Sequence, residues 1–356
     1  MEDVLQSLQK LALHHRRKLK IPIIAITGSN GKTTTKELVN SVLRTRYNTF
    51  ATAGNLNNHI GVPLTLLSMQ QSVEIGIVEM GANHQKEIEF YCSIAEPTHG
   101  LITNIGKAHL EGFGGEEGVK KGKGELFDYL YQTGGTAFIN SEDEKVKSVS
   151  RFTAPVFYYQ KGDDYHCELL EEQPFVKFRS EDGQIFITHL IGKYNFYNIA
   201  AALCIGKYFK VDSSSANNAV AAYNPQNNRS QILRKDSLSL ILDAYNANPS
   251  SMKAAIDNFA ILEAESKLVI VGDMFELGDE SEKEHRLVGE LLKEKNLSSI
   301  FCGKAMKYAK DVYPGSAYFE TRDDLIEWLK SHKYQNTTIL IKGSRGMGLE
   351  KIVDFL

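Results

Sequence analysis

Apolar runs and helical periodicities alternate along most of this chain. Residues 4–19 place Leu5, Leu8, Leu11, Leu13 and Leu19 at loose helical spacing, which predicts one amphipathic helix. Short apolar, largely β-branched runs then predict strands at 21–27, 75–80, 101–105 and 136–140. Helical patterns at 34–43, 86–92 and 119–131 lie between them. Strands that alternate with helices predict a mostly parallel sheet. The texture changes over 151–190, where alternation at 174–178 and 184–188 predicts antiparallel strands. An Ala-rich helix is expected at 195–208, and the polar stretch 224–231, with Pro225, reads as a boundary. The alternation then restarts, with strands at 238–242, 267–271, 299–302 and 338–341 and helices at 250–262, 281–294, 323–330 and 349–355. This second unit is Rossmann-like in rhythm. It has no G-x-G-x-x-G after its first expected strand, which argues against a dinucleotide site. The fold class is therefore α/β, divided into a linker helix (1–20), a central domain (21–226) with a mostly parallel sheet and a C-terminal domain (227–356).

Bulk composition narrows the setting. With 356 residues the chain can fill more than one core. A net charge of −3 provides no global field for nucleic acid or membrane, and the basic run 14–20 reads as a solvated helix end. Cys92, Cys167, Cys204 and Cys302 show no C-x-x-C spacing, which suits a reducing compartment. The N-terminus has no apolar secretory core, and no apolar run reaches the length of a membrane span. These features predict a cytoplasmic monomer.

The most specific chemistry follows the first core strand. Gly28, Ser29, Asn30, Gly31, Lys32, Thr33 and Thr34 stand between an apolar run and a helical pattern. A turn of this kind aims backbone N–H groups and a helix dipole at a polyphosphate. Lys32 adds a charge, and the Thr33 hydroxyl is placed for a magnesium ion. The general phosphate-loop pattern wants a Gly with four residues between it and the Gly-Lys pair, and Ile26 stands there instead. The expected ligand is ATP with Mg2+. Glu79 ends the next core strand, where a carboxylate faces the ligand crevice, and reads as a magnesium ligand. His109 follows the third strand at the same rim; it is either a second metal ligand or a structural histidine. Lys123 cannot be separated from Lys120 or Lys121 by spacing. In the second unit, D-A-Y-N-A-N-P from Asp243, G-D-M-F-E-L-G from Gly272 and K-G-S-R from Lys342 end strands. Three polar strand ends on one rim predict a domain that closes over a ligand held by the first.

In that order, T-G-S-N-G-K-T-T, V-E-M-G-A-N, T-N-I-G-K-A-H-L-E-G-F-G, G-K-G-E, D-A-Y-N-A-N-P, G-D-M-F-E-L-G and K-G-S-R resemble the Mur ligases, ATP-dependent amide-forming enzymes of peptidoglycan assembly. A-G-N-L-N-N-H-I-G-V-P-L-T and D-A-Y-N-A-N-P-S-S-M resemble the branch that joins D-alanyl-D-alanine to UDP-N-acetylmuramoyl-tripeptide. The resemblance implies that Gly28, Asn30, Gly31, Lys32 and Thr33 hold the ATP phosphates. Thr33 and Glu79 would hold one magnesium, and His109 a second, with Lys123 acting as a carbamate. Asn195 matches the adenine-side pattern G-x-H-N-x-x-N, with Tyr194 in place of its His. Arg229, Asp243 and Tyr245 would reach the nucleotide across the cleft. Asn55, Asn57 and Asn58, with Lys342 and Ser344, would face the substrates. Family members also carry a front domain that grips the UDP-sugar, and this sequence resembles them only from about residue 4 onward. Other readings are a related ligase such as folylpolyglutamate synthase, a nucleotide-binding protein without turnover, and a phosphate-loop switch NTPase.

Overall fold

The computed structural model describes residues 3–225 and 228–356; Gln226 and Asn227, where the expected domain boundary falls, lie outside them. The first helix, α1 (Val4–Leu19), is capped by Asp3 and packs on α3 (Gly61–Leu67) and α4 (Glu87–Ala95). Buried Arg16 fixes it there. Its Nε donates to Ala95 O at 2.7 Å and its NH2 to Glu96 O at 2.9 Å. These are carbonyls that the C-terminus of α4 leaves without helical partners.

The main sheet contains β1 (Ile23–Thr27), β2 (Thr49–Ala51), β3 (Ile75–Glu79), β4 (His99–Ile102), β5 (Thr136–Asn140), β6 (Val156–Tyr159) and β7 (Tyr165–His166). Its order is β2-β3-β1-β4-β5-β6-β7, and every pairing is parallel. All five residues of β1, and all five of β3, are buried. Strands covered by helices on both faces need apolar side chains at every position, so their sequences do not alternate. Helix α2 (Lys32–Leu43) follows β1, and chain order reverses direction at β1. The loop after β1 therefore opens at the switch point of the sheet, where such folds bind ligands.

Beyond the short helices α5 (Leu110–Phe113) and α7 (Glu144–Lys147), the long α6 (Glu116–Thr133) crosses behind α4. A three-stranded sheet of β8 (Glu168–Glu171), β9 (Lys177–Arg179) and β10 (Ile185–Ile187) is antiparallel, as the alternation predicts. In the same stretch, β6 and β7 differ from that texture and extend the main sheet in parallel. Helix α8 (Lys193–Tyr208) packs on α2, and α9 (Ser213–Ala221) covers both.

The second sheet holds β11 (Gln231–Lys235), β12 (Leu238–Asp243), β13 (Ser266–Gly272), β14 (Ser299–Cys302), β15 (Ala317–Phe319) and β16 (Thr337–Lys342) in the order β11-β12-β16-β13-β14-β15. Only the pair β11–β12 is antiparallel. The strand at 238 is thus the second of this unit, because β11 precedes it as a hairpin partner. Helices α10 (Pro249–Ile261) and α11 (Ser281–Glu294) flank this sheet, and residues 349–355 form a 3-10 helix where an α-helix was expected. The expected strand at 101–105 stops at Ile102, because Thr103 and Asn104 turn to brace the loop after β1. No helix among the described residues is long and apolar enough to cross a membrane.

Replacing Arg16 by Met should cost about 2 kcal/mol, since buried carbonyls lose charged donors. A urea midpoint lowered at unchanged slope would show it; an unchanged midpoint would mean that water replaces the guanidinium.

Candidate active site

The loop after β1 is held from behind. Asn30 N donates to Asn104 Oδ1 at 3.1 Å, and Thr103 Oγ1 donates to Asn30 O at 2.6 Å. Ser29 Oγ donates to Gly106 O at 3.0 Å. Gly28 is required here: its φ is +142°, and a Cβ would lie 2.0 Å from Thr103 Oγ1. Gly31, at φ +78°, faces the Asn198 side chain, 2.8 Å from where its Cβ would be. That Asn198 accepts from Thr35 Oγ1 and donates to Asn195 Oδ1, so the loop, α2 and α8 form one unit. Asn195 is itself pinned by a 2.8 Å bond to Ile191 O.

Glu79 is 1% exposed at the end of β3. Thr33 Oγ1 donates to its Oε2 at 2.9 Å and Asn57 Nδ2 to its Oε1 at 2.8 Å. Lys32 Nζ donates to Gly28 O at 2.7 Å. Enclosure pushes the Lys32 ammonium down to about 8, with Glu79 opposing that shift and Arg229 adding to it. Lys123 is buried beneath, donating to Ala82 O at 3.2 Å. Burial holds its amine well below the usual lysine range, and the charge on Lys32 acts in the same direction. Spacing could not single out Lys123. Glu125 explains its placement, since it accepts from Lys86 N at 2.6 Å and Glu89 N at 3.0 Å, docking α6 on the N-terminus of α4.

The second sheet supplies the opposite wall. Arg229 stacks on the Tyr245 ring, 3.6 Å from its centroid, and Arg345 approaches the same ring at 5.2 Å. Lys342 pairs with Asp243, whose other oxygen accepts from Ser230 N at 3.2 Å. Contacts that join the walls include Asn248 Nδ2 to Asn30 Oδ1 at 2.8 Å, Lys107 N to Ser250 Oγ at 2.9 Å, and Lys107 Nζ to Glu284 at 2.7 Å.

Between the walls lies a cavity of about 920 Å³, lined by Ser29 through Thr34, Asn57, Asn58, Glu79, His109, Asn195, Arg229, Asp243, Tyr245 and Lys342, among others. That size suits a nucleotide with part of a second substrate. Gly28, Asn55, Lys123 and Ser344 lie outside its lining. Ser344 is buried, and its Oγ accepts from Phe275 N at 3.0 Å. Asn55 is exposed in the loop before α3. Thr103, Asn104, Asn198 and Asn248 all lie within the motifs singled out from the sequence, but the sequence reading assigns none of them a role of its own. A signal for the first pair was the polar Thr-Asn immediately after an apolar strand.

Among the described residues, no group of three or more His, Cys, Asp and Glu side chains could hold a metal ion. The Thr33 hydroxyl beside the Glu79 carboxylate fits magnesium nonetheless, because that ion takes one or two protein oxygens and completes its shell with phosphates and water.

Residues 26–206 match the Mur ligase middle domain and residues 228–345 the Mur ligase glutamate ligase domain. The UDP-N-acetylmuramoyl-tripeptide–D-alanyl-D-alanine ligase of Bacillus subtilis is 35% identical over 370 aligned positions, covering 99% of this chain and 79% of the relative. This chain belongs to the Mur ligase family. The family comprises ATP-dependent amide ligases. Among solved Mur ligases, MurF from Acinetobacter baumannii superimposes with a TM-score of 0.89 at 29% identity, covering 99% of this chain and 80% of that one. A MurF ligase from Thermotoga maritima, solved in complex with ADP, gives 0.85 at 26% identity, covering 100% and 84%.

Polyphosphate oxygens favour the charged form of Lys32, so they raise its pKa from about 8 in the complex. Binding above pH 8 should therefore take up a proton, and affinity should fall as pH rises through 8 toward the bound-state value. Calorimetry of a non-hydrolysable ATP analogue in buffers of different ionisation enthalpy should read that uptake. Lys32→Arg should remove it, and uptake that persists in the variant would mean another group titrates.

Proposed function

We propose that this chain joins D-alanyl-D-alanine to UDP-N-acetylmuramoyl-tripeptide at the expense of ATP. The observation that carries this reading is the single cavity with a phosphate loop on one wall and polar strand ends of a second α/β unit on the other. The similarity to ligases of that substrate pair supports the choice of substrates. In this reading residues 1–20 are a linker helix, 21–226 the nucleotide domain and 227–356 the acceptor domain.

A carboxylate is a poor electrophile and must be activated. The tripeptide's terminal carboxylate oxygen attacks the γ-phosphorus of ATP, the bond to the ADP oxygen breaks, and an acyl phosphate forms. Lys32 and the loop N–H groups neutralise charge on the transferring group. Thr33 and Glu79 would hold a magnesium ion, which would supply further charge stabilisation for the transferring group. Arg229, fixed by its stack on Tyr245, reaches the nucleotide from the facing wall. Asn195 lies on the adenine side, and Asn57 and Asn58 face the peptide. The amine of D-alanyl-D-alanine then attacks the acyl carbon, phosphate leaves, and an amide remains. Lys342 belongs to the acceptor side, and buried Ser344 does not face the substrates but braces the Phe275 turn behind it. Contact between the two walls excludes water that would hydrolyse the acyl phosphate.

Lys123, as a carbamate, and His109 would hold a second metal, which would supply further charge stabilisation. The neutral Lys123 amine adds to carbon dioxide with loss of a proton, turning a buried base into a buried carboxylate. The same reading places the protein in the cytoplasm as a monomer, acting on small precursors and not on nucleic acid.

Phosphate release from ATP should require both UDP-N-acetylmuramoyl-tripeptide and D-alanyl-D-alanine, with the pentapeptide product seen by mass. Release independent of peptide would point to a plain NTPase, and release driven by glutamate with a folate acceptor to a folylpolyglutamate-type ligase. Lys123→Ala should lower turnover at least 100-fold, with partial recovery on adding short carboxylic acids. Full activity without them would remove the carbamate from the mechanism.

A further inference from the structure

One contact across the cleft is not absorbed by nucleotide or peptide binding. His109 Nδ1 meets Glu276 Oε2, and Glu276 belongs to the second unit. Both ends are held. Glu276 sits at φ +62° in the turn after β13, where Met274 N donates to His285 Nε2 at 3.0 Å and Phe275 N to Ser344 Oγ at 3.0 Å. His109 starts α5 at φ +52°. The backbones also touch, with Glu111 N donating to Glu276 O at 3.4 Å.

A carboxylate on Nδ1 selects the tautomer with its proton there and leaves Nε2 as a neutral donor. His109 lines the cavity, and its Nε2 has no hydrogen-bond partner among the described residues. We propose that Glu276 is a positioning residue for His109, so that the second-metal site is complete only when the two units are docked. The proposal rests on the reading of His109 as a metal ligand. Metal affinity and docking are then linked reciprocally: each strengthens the other. Lys107–Glu284, at 2.7 Å, is a second tie that docks the units without touching the imidazole.

Electron paramagnetic resonance of Mn2+ bound to the full chain, with a non-hydrolysable ATP analogue, tests this without turnover. The wild type should bind two classes of Mn2+, and His109→Ala should lose one. Glu276→Ala should weaken that same class about 10- to 100-fold and leave the Thr33–Glu79 class unchanged. Glu276→Gln, whose amide oxygen still accepts from Nδ1–H, should fall between. The double variant His109→Ala/Glu276→Ala should match His109→Ala alone. Unaltered Mn2+ binding in Glu276→Ala, where His109→Ala has lost a class, overturns the positioning role and leaves His109 as a ligand. Two classes retained in His109→Ala overturn the ligand reading itself, and the proposal with it. Should Glu276→Ala fail to fold, Glu276→Gln against His109→Ala carries the comparison.

Discussion

A carboxylate buried at the end of a parallel strand has to be matched by donors from elsewhere in the chain. Glu79 is such a group. It is 1% exposed, and an isolated charge there would cost several kcal/mol. Thr33 from the first turn of α2 and Asn57 from the loop before α3 supply the donors, and Thr52 Oγ1 accepts from the Glu79 backbone N–H at 3.0 Å. Meeting this demand brings the phosphate loop, the asparagine loop and β3 to one point. It also pre-positions a hydroxyl and a carboxylate as the oxygen pair that a magnesium ion with phosphates needs.

The loop itself depends on a second constraint, close approach. Gly28 passes Thr103 with no room for a side chain, and Thr103 and Asn104 take up the carbonyl and N–H of Asn30. The backbone N–H groups toward the cavity are thereby oriented before any phosphate arrives, which is how preorganised sites avoid reorganisation during reaction. The second unit continues the same logic from the far side. Asn248 both caps α10 and bonds Asn30, so one residue ties the start of a helix in one unit to the phosphate loop of the other.

Much of this was legible in the chain. The strand–turn–helix at 23–43, Glu79 at a strand end and the polar strand ends at 243 and 342 came from local pattern alone, because burial on both faces, tight turns and helix starts each leave a mark within a few residues. Strands β2, β6, β7, β8, β11 and β15 did not. They are short edge strands or half-buried ones, and their pairing energy comes from neighbours distant in sequence. The reading of 101–105 as a strand failed for a related reason: apolar Ile105 follows the run Leu101-Ile102, but the intervening Thr103 and Asn104 gain more by bracing the loop than by extending the ladder.

Lys123 and His109 mark the division most sharply. By itself the sequence determined the α/β class, the phosphate loop and the rim on which the chemistry sits, since these follow from contiguous residues. Residue spacing offered no physical reason to prefer Lys123 over Lys120 or Lys121; the family resemblance picked it out without one. Only the tertiary structure supplied that reason, through Glu125 docking α6 onto α4, which buries one lysine of the three and depresses its amine. Likewise, Glu276 facing His109 is a contact between residues 167 positions apart. A bond between two separately folded sheets has no local signature, because it is set by how the units meet and not by the periodicity of either.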